Sequence, residues 1–229
     1  MPERSETFPD EPLHGDPLMN RPPTSHERMT GEPWDVSYKG GRAPWDIGRP
    51  QQAFARVAAA GGFSGAVLDA GCGSGEHALL AASLGLPVLG IDVAETALAL
   101  ARAKAKERGV HERGIHVEFA RADALHLESL GRKFETVLDC GLFHTFDDDE
   151  RPQYVASLAS VTQPNGTLYV LCFSDRGSAY VPHPVREDVL RGAFRASDGW
   201  SVVSLELDRI ETRFHPDGAS AWFAKIQRN

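Results

Sequence analysis

The chain has 229 residues, 41% of them hydrophobic, which suits one α/β domain with a full core and is too short for two large ones. A formal charge of −8 argues against general binding to a nucleic-acid backbone, which needs clustered Lys and Arg. No apolar run approaches membrane-spanning length, no basic start leads into an apolar stretch, and the three cysteines, Cys72, Cys140 and Cys172, show no pairing or metal-ligand spacing. The expectation is a cytoplasmic protein with reduced thiols, no membrane partner and no nucleic-acid partner.

Residues 1–30 carry Pro2, Pro9, Pro12, Pro17, Pro22 and Pro23 among charges and few aliphatics, a composition that predicts a flexible tail, able also to fold over a ligand. Residues 31–60 set Trp34, Tyr38 and Trp45 among polar and turn-forming residues and end in a short helix over 51–60, with Phe54 and Val57 inward. Such rings either clamp the segment onto a core or offer their faces to a cation.

From 61 to 229 the pattern alternates. Strands are predicted over 66–69, 88–92, 116–121, 136–140 and 167–173, with helices near 76–84, 95–108 and 149–162. Nearly all-apolar strands alternating with helices predict a parallel sheet covered on both faces. Asn165-Gly166 supplies a turn before the fifth strand, and 201–207 and 219–226 read as an antiparallel pair joined across Pro216-Asp217-Gly218. The fold class is thus a Rossmann-like, doubly wound α/β sheet of mostly parallel strands that ends in an antiparallel hairpin. Ligands of open sheets of this kind bind beyond the carboxyl ends of the strands.

The first strand runs as Val67-Leu68-Asp69-Ala70-Gly71-Cys72-Gly73-Ser74-Gly75-Glu76 into a helix start. Alternate glycines let a ligand approach bare backbone. A dinucleotide site asks for G-x-G-x-x-G with pyrophosphate on the helix N–H groups, and the third glycine position here is Glu76. Asp69 and Glu76 place negative charge at both sides of the loop, which favours a ligand that is not polyanionic and counts against an NAD-dependent oxidoreductase. This stretch resembles the first motif of the class I S-adenosylmethionine-dependent methyltransferases. Upstream, W-x-x-x-[WY] followed by P-W-D-x-G, here Trp34, Tyr38 and Pro44-Trp45-Asp46-Ile47-Gly48, resembles the thiopurine, thiol and halide branch of that family.

The resemblance implies a seven-stranded sheet, S-adenosylmethionine as cofactor, and a small molecule methylated on sulfur, nitrogen or oxygen, whether aromatic, heterocyclic or thiol, in detoxification or natural-product tailoring. It implies that 31–60 forms a lid and helix over the cofactor and that Trp34, Tyr38 and Trp45 belong to the pocket. Asp69 with Gly71, Cys72, Gly73 and Gly75 would hold the methionine end, Asp92 the ribose, Asp123 and Ala124 the adenine, with Val93 after strand two and Asp139 and Cys140 at the end of strand four also binding the cofactor. Other roles stay open: Asp92 is either a ribose acceptor or a helix cap, and Asp123 either meets adenine or closes a loop turn.

On the acceptor side stand Phe143, His144, Phe173, Arg176 and Tyr180. His144 is the candidate general base, since an ordinary imidazole titrates near neutrality, although methyl transfer often needs no strong base. Plant halide and thiol enzymes carry an aromatic or small residue near the His144 position, which leaves room for a heterocyclic or phenolic acceptor. The histidines lack the spacing of a metal site, so no catalytic metal is expected. Monomer and homodimer both stay open, as does a cofactor-binding protein without catalysis.

Overall fold

A computed structural model describes residues 31–110, 116–177 and 179–229; the Pro-rich stretch 1–30 lies outside the described residues. Seven strands form one sheet in the order β3-β2-β1-β4-β5-β7-β6. They are β1 (Val67–Ala70), β2 (Val88–Asp92), β3 (Val117–Arg121), β4 (Phe134–Cys140), β5 (Thr162–Phe173), β6 (Trp200–Ile210) and β7 (Ala219–Arg228). β1 pairs parallel to β2 and to β4, β2 to β3 and β4 to β5, whereas β7 runs antiparallel to both β5 and β6. The mostly parallel sheet with an antiparallel hairpin is therefore present, and both hairpin strands extend beyond their expected ends.

One expected turn is displaced. Asn165 does adopt φ 63, but β5 begins at Thr162, and the β4–β5 pairing absorbs the irregularity as a register shift between Phe134 and Thr136. Backbone pairing to β4 continues through the bend, which overrides the local turn signal of Asn-Gly.

The described helices include α1 (Glu32–Lys39), α2 (Gln52–Ala59), α3 (Glu76–Ser83), α4 (Glu95–Glu107), α5 (Glu150–Val161) and α6 (Glu187–Ala193), with short 3-10 turns at Ala124–Leu130, Phe143–Thr145 and Ala196–Asp198. All four residues of β1 are buried, as a central strand covered on both faces requires. One face packs Leu68, Val137, Phe143, Tyr154, Leu168 and Trp200. The other packs Phe54, Phe63, Leu79, Leu138, Tyr169 and Leu171. Burying each such side chain contributes about 1.5–3 kcal/mol, so both layers have a strong reason to close on the sheet.

The segment before β1 is tied to the domain by specific bonds. Asp35 Oδ1 accepts the Thr96 N–H at 2.8 Å, so α1 satisfies a donor at the open start of α4. Tyr38 and Ala43 pack with Trp34 and Trp45 on Ala94 and Ala97. Farther along, Gln51 and Arg49 reach the loop after β6, which brings residues 42–51 beside 211–213.

Candidate active site

Parallel order places the carboxyl ends of β1, β2, β3 and β4 at one edge of the sheet, and a cavity opens there. It encloses about 1240 Å³ of space continuous with solvent. Its floor is Gly71, Cys72 and Gly73 after β1, Ile91, Asp92 and Val93 at β2, Ala122 and Ala124 after β3, and Cys140, Gly141 and Leu142 after β4. Trp34, Tyr38, Trp45, Asp46, Ile47, Arg49 and Gln51 supply one wall. His144, Thr145, Phe173, Pro182, Ile210, Glu211 and Thr212 supply another.

The three expected rings both clamp and line. Trp45 meets Trp34 edge-on at 5.8 Å and Tyr38 at 6.0 Å between ring centroids, and Trp45 Nε1 donates to Tyr38 Oη at 2.9 Å. Gly73 has φ 51, and a Cβ built there would lie 2.6 Å from Tyr38 Oη, so only glycine lets the loop pass beneath the tyrosine. Asp92 binds the loop from the next strand. Its two carboxylate oxygens accept the Gly73 and Ala94 N–H groups, both at 2.8 Å, while the side chain still lines the cavity. Burial raises its pKa against these backbone donors, which lower it.

Several expected contacts are placed elsewhere. Asp69 does not line the cavity: Oδ2 accepts the Ala78 N–H at 2.8 Å inside the first turns of α3, and Oδ1 is buried without a partner. Burial pushes its pKa up to about 7. Gly75 also lies off the cavity and serves packing, since a Cβ there would meet Ala101 and the Phe119 ring at 2.9–3.0 Å. Asp123 closes a turn on Leu125 N–H at 2.9 Å, leaving Ala122 and Ala124 as the lining residues of this loop.

Asp139 is fully buried and accepts from Leu142 N–H, Phe143 N–H and Tyr154 Oη. It thereby shapes the turn that carries His144. Phe143 packs in the core, and Tyr180, 61% exposed, lines no part of the cavity. Arg176 is likewise outside the lining and faces Asp175 at 3.8 Å. In each correction a nearby backbone donor, the apolar core or solvent captures a side chain whose sequence position alone suggested a ligand contact.

Cys72, Val93, Cys140 and Phe173 do line the cavity. So does His144, whose ring lies 4.8 Å from that of Phe173. Its Nδ1 is enclosed without a hydrogen-bond partner. Burial first, then the charges of His183 and Arg151, lower its pKa to about 3. The ring is thus neutral near pH 7 and is a far weaker base than an ordinary imidazole.

The lining also contains residues that motif reading passed over. Ser74 Oγ donates to Asp46 Oδ2 at 2.7 Å, and Lys104 Nζ donates to Ser74 Oγ at 2.6 Å and to Glu76 Oε1 at 2.8 Å. Arg108 adds two bonds to the Glu76 carboxylate at 2.9–3.0 Å. Glu76 is thereby neutralised by two cations, Lys104 of α4 and Arg108 just after it, so its charge does not repel an anion as the sequence suggests. Arg49 pairs with Glu211, and His77 Nε2 accepts the Gln51 N–H at 3.1 Å. The P-W-D-x-G motif contained Asp46, but nothing local announced Glu211 or His77.

A family model described as a methyltransferase domain matches residues 67–166. The 2-heptyl-1-hydroxyquinolin-4(1H)-one methyltransferase of Mycobacteroides abscessus is 32% identical over 206 residues, covering 85% of this chain and 88% of the relative. The chain belongs to the class I S-adenosylmethionine-dependent methyltransferases.

Thiocyanate methyltransferase 1 of Brassica oleracea, 27% identical over 82% of this chain and 83% of its own, connects this methyltransferase to the thiol and halide branch. The structure described under "Conversion of a Disulfide Bond into a Thioacetal Group during Echinomycin Biosynthesis" is 36% identical with a TM-score of 0.76, covering 88% of this chain and 93% of that one. Magnesium protoporphyrin IX methyltransferase from Synechocystis PCC 6803, solved with S-adenosylmethionine bound, is 25% identical with a TM-score of 0.61 over 78% and 77% of the two chains. The methyltransferase is accordingly an enzyme that uses S-adenosylmethionine on a small molecule. The cavity's chemistry fits that cofactor: the rings of Trp34, Tyr38 and Trp45 suit a sulfonium, the Asp92 carboxylate suits ribose hydroxyls, and Gly71 and Gly73 line the floor with bare backbone. Among the described residues, no helix is long and apolar enough to cross a membrane.

Proposed function

We propose that this methyltransferase methylates a hydroxyl oxygen carried on a neutral, flat heteroaromatic molecule. The observation that carries the reading is His144, a neutral imidazole held against Phe173 at the cavity wall with Nδ1 sealed off, which leaves Nε2 as the nitrogen available to a ligand. Leu142, Phe173, Pro182 and Ile210 make the neighbouring surface apolar. A planar ring is well matched to such a wall. The similarity to a hydroxyquinolone methyltransferase supports the same class.

Asp92 is the residue assigned to the ribose hydroxyls, the backbone at Ala122–Ala124 to the adenine, and the 71–73 loop with Asp46 to the amino-acid end. Trp34, Tyr38 and Trp45 close over that end, making 31–60 the lid and helix of the enzyme. The bound cofactor supplies a methyl group on a positively charged sulfur, already activated for displacement.

The protein's part is then alignment and exclusion of water. His144 Nε2 accepts a hydrogen bond from the acceptor O–H and turns an oxygen lone pair toward the methyl group. With its pKa near 3, His144 orients the proton rather than carrying it away, and solvent at the cavity mouth takes it. Incubation with S-adenosylmethionine and a panel of hydroxylated heterocycles, phenols and thiols, read by mass spectrometry, tests this. A gain of one methyl on oxygen is expected; turnover confined to thiols would overturn the acceptor assignment.

A further inference from the structure

His77 stands at the junction of three pieces of the wall. It occupies the second position of α3, directly after the glycine loop, its ring lies 4.7 Å from Phe54 on α2, and it lines the cavity. Its Nε2 accepts the backbone N–H of Gln51 at 3.1 Å. A neutral imidazole that accepts at one nitrogen carries its proton on the other. Burial lowers the His77 pKa to about 4, so the ring is neutral at physiological pH and Nδ1 bears the hydrogen. No other hydrogen bond to this ring occurs among the described residues. Tautomer and orientation are thus set from outside, leaving a fixed N–H donor at the cavity wall.

The neighbouring donors are already engaged. Gln51 Nε2 donates to Glu211 O at 2.7 Å, Ser74 Oγ to Asp46, Trp45 Nε1 to Tyr38 Oη, and Arg49 to the Glu211 carboxylate. The acids on this side are compensated too, Glu76 by Lys104 and Arg108, Asp46 by Ser74 and by Lys104 at 3.9 Å. An anionic group can therefore approach His77 without facing an unpaired carboxylate. S-adenosylmethionine has one such group, the carboxylate of its amino-acid end. Asp92 at β2 and the Ala122–Ala124 backbone after β3 mark the opposite, nucleoside end, and His77 follows β1 on the far side of the glycine loop.

We infer that His77 is a cofactor-binding residue whose Nδ1–H donates to the carboxylate of the cofactor's amino-acid end. This rests on the cofactor orientation given above. The Gln51 backbone N–H then acts through the tautomer of His77.

Calorimetry with two product-like ligands tests it without turnover. S-adenosylhomocysteine keeps the amino-acid carboxylate, and 5′-methylthioadenosine lacks it. In His77→Phe, which retains the ring packing on Phe54, S-adenosylhomocysteine is expected to bind about 10- to 100-fold more weakly, as for loss of a hydrogen bond to a charged group, while 5′-methylthioadenosine changes less than about twofold. His77→Asn, which keeps an N–H near the position of Nδ1, recovers much of the loss. Equal weakening of both ligands, or no weakening of either, would overturn the assignment. If the unmodified enzyme binds 5′-methylthioadenosine as tightly as S-adenosylhomocysteine, the cofactor orientation itself fails, a result separate from any effect of the variants.

Discussion

Gln51 and Glu211, 160 residues apart, exchange two hydrogen bonds: Gln51 Nε2 donates to Glu211 O at 2.7 Å, and Glu211 N donates to Gln51 Oε1 at 2.8 Å. With the Arg49–Glu211 pair and the Arg213 N–H on Pro44 O at 2.8 Å, they fasten the 44–51 segment to the loop after β6. Gln51→Ala leaves two buried backbone groups unsatisfied. The expected cost is about 1–3 kcal/mol of stability in urea denaturation. Weaker S-adenosylmethionine binding should accompany it, because this cavity wall loses its anchor; unchanged affinity would show that the wall holds its place by packing alone.

Gly73→Ala tests the glycine loop. The new methyl group would lie 2.6 Å from Tyr38 Oη at a backbone φ of 51, so both the tyrosine and the turn must give way. Left-handed backbone costs an alanine roughly 1–2 kcal/mol, and displacement of Tyr38 opens the Trp45 contact as well. A fall in thermal midpoint of several degrees and at least tenfold weaker cofactor binding are expected, measured by calorimetry.

His144→Phe keeps a ring against Phe173 and removes the acceptor nitrogen. Turnover of the hydroxylated acceptor should fall about 10- to 100-fold while S-adenosylmethionine affinity stays unchanged. Because burial holds the His144 pKa at about 3, kcat/KM should show no His144 titration between pH 5 and 8. A rate step near pH 6.5 that vanishes in the variant would contradict a purely orienting role.

Asp69 predicts a pH dependence of stability. Burial lifts its carboxyl from 3.8 to about 7, so between these values the folded chain holds a proton that the unfolded chain has released. Its contribution is fully present below about pH 4 and is lost as the pH rises to 7. Asp69→Asn keeps an acceptor for Ala78 N–H but removes the titration. The stability of the variant relative to the natural chain should therefore rise by up to a few kcal/mol from pH 4 to pH 8, measured as urea midpoints. A constant gap across that range would show that Asp69 titrates normally.

Much of this enzyme was legible because its signals are local. The alternation of apolar strands with helices, the glycines after β1 and the acids at strand ends all depend on neighbours within a few residues. They led to the doubly wound sheet, its hairpin and the cofactor family. The same locality left open where a side chain had two destinations: Asp123 and Asp69 sit at the right strand ends, and each accepts a backbone N–H two or nine residues away.

The sequence by itself determined a mostly parallel sheet and its ligand edge, since periodicity and glycine spacing dictate both. Only the tertiary structure decided how each charge and ring is used. Glu76 reads as a repelling acid until Lys104 and Arg108 are folded against it, His144 reads as a neutral-pH base until burial lowers its pKa to about 3, and His77 acquires its donor only when Gln51 claims the opposite nitrogen. Protonation and hydrogen-bond partnership depend on desolvation and on groups distant in the chain, and those exist only after the layers close.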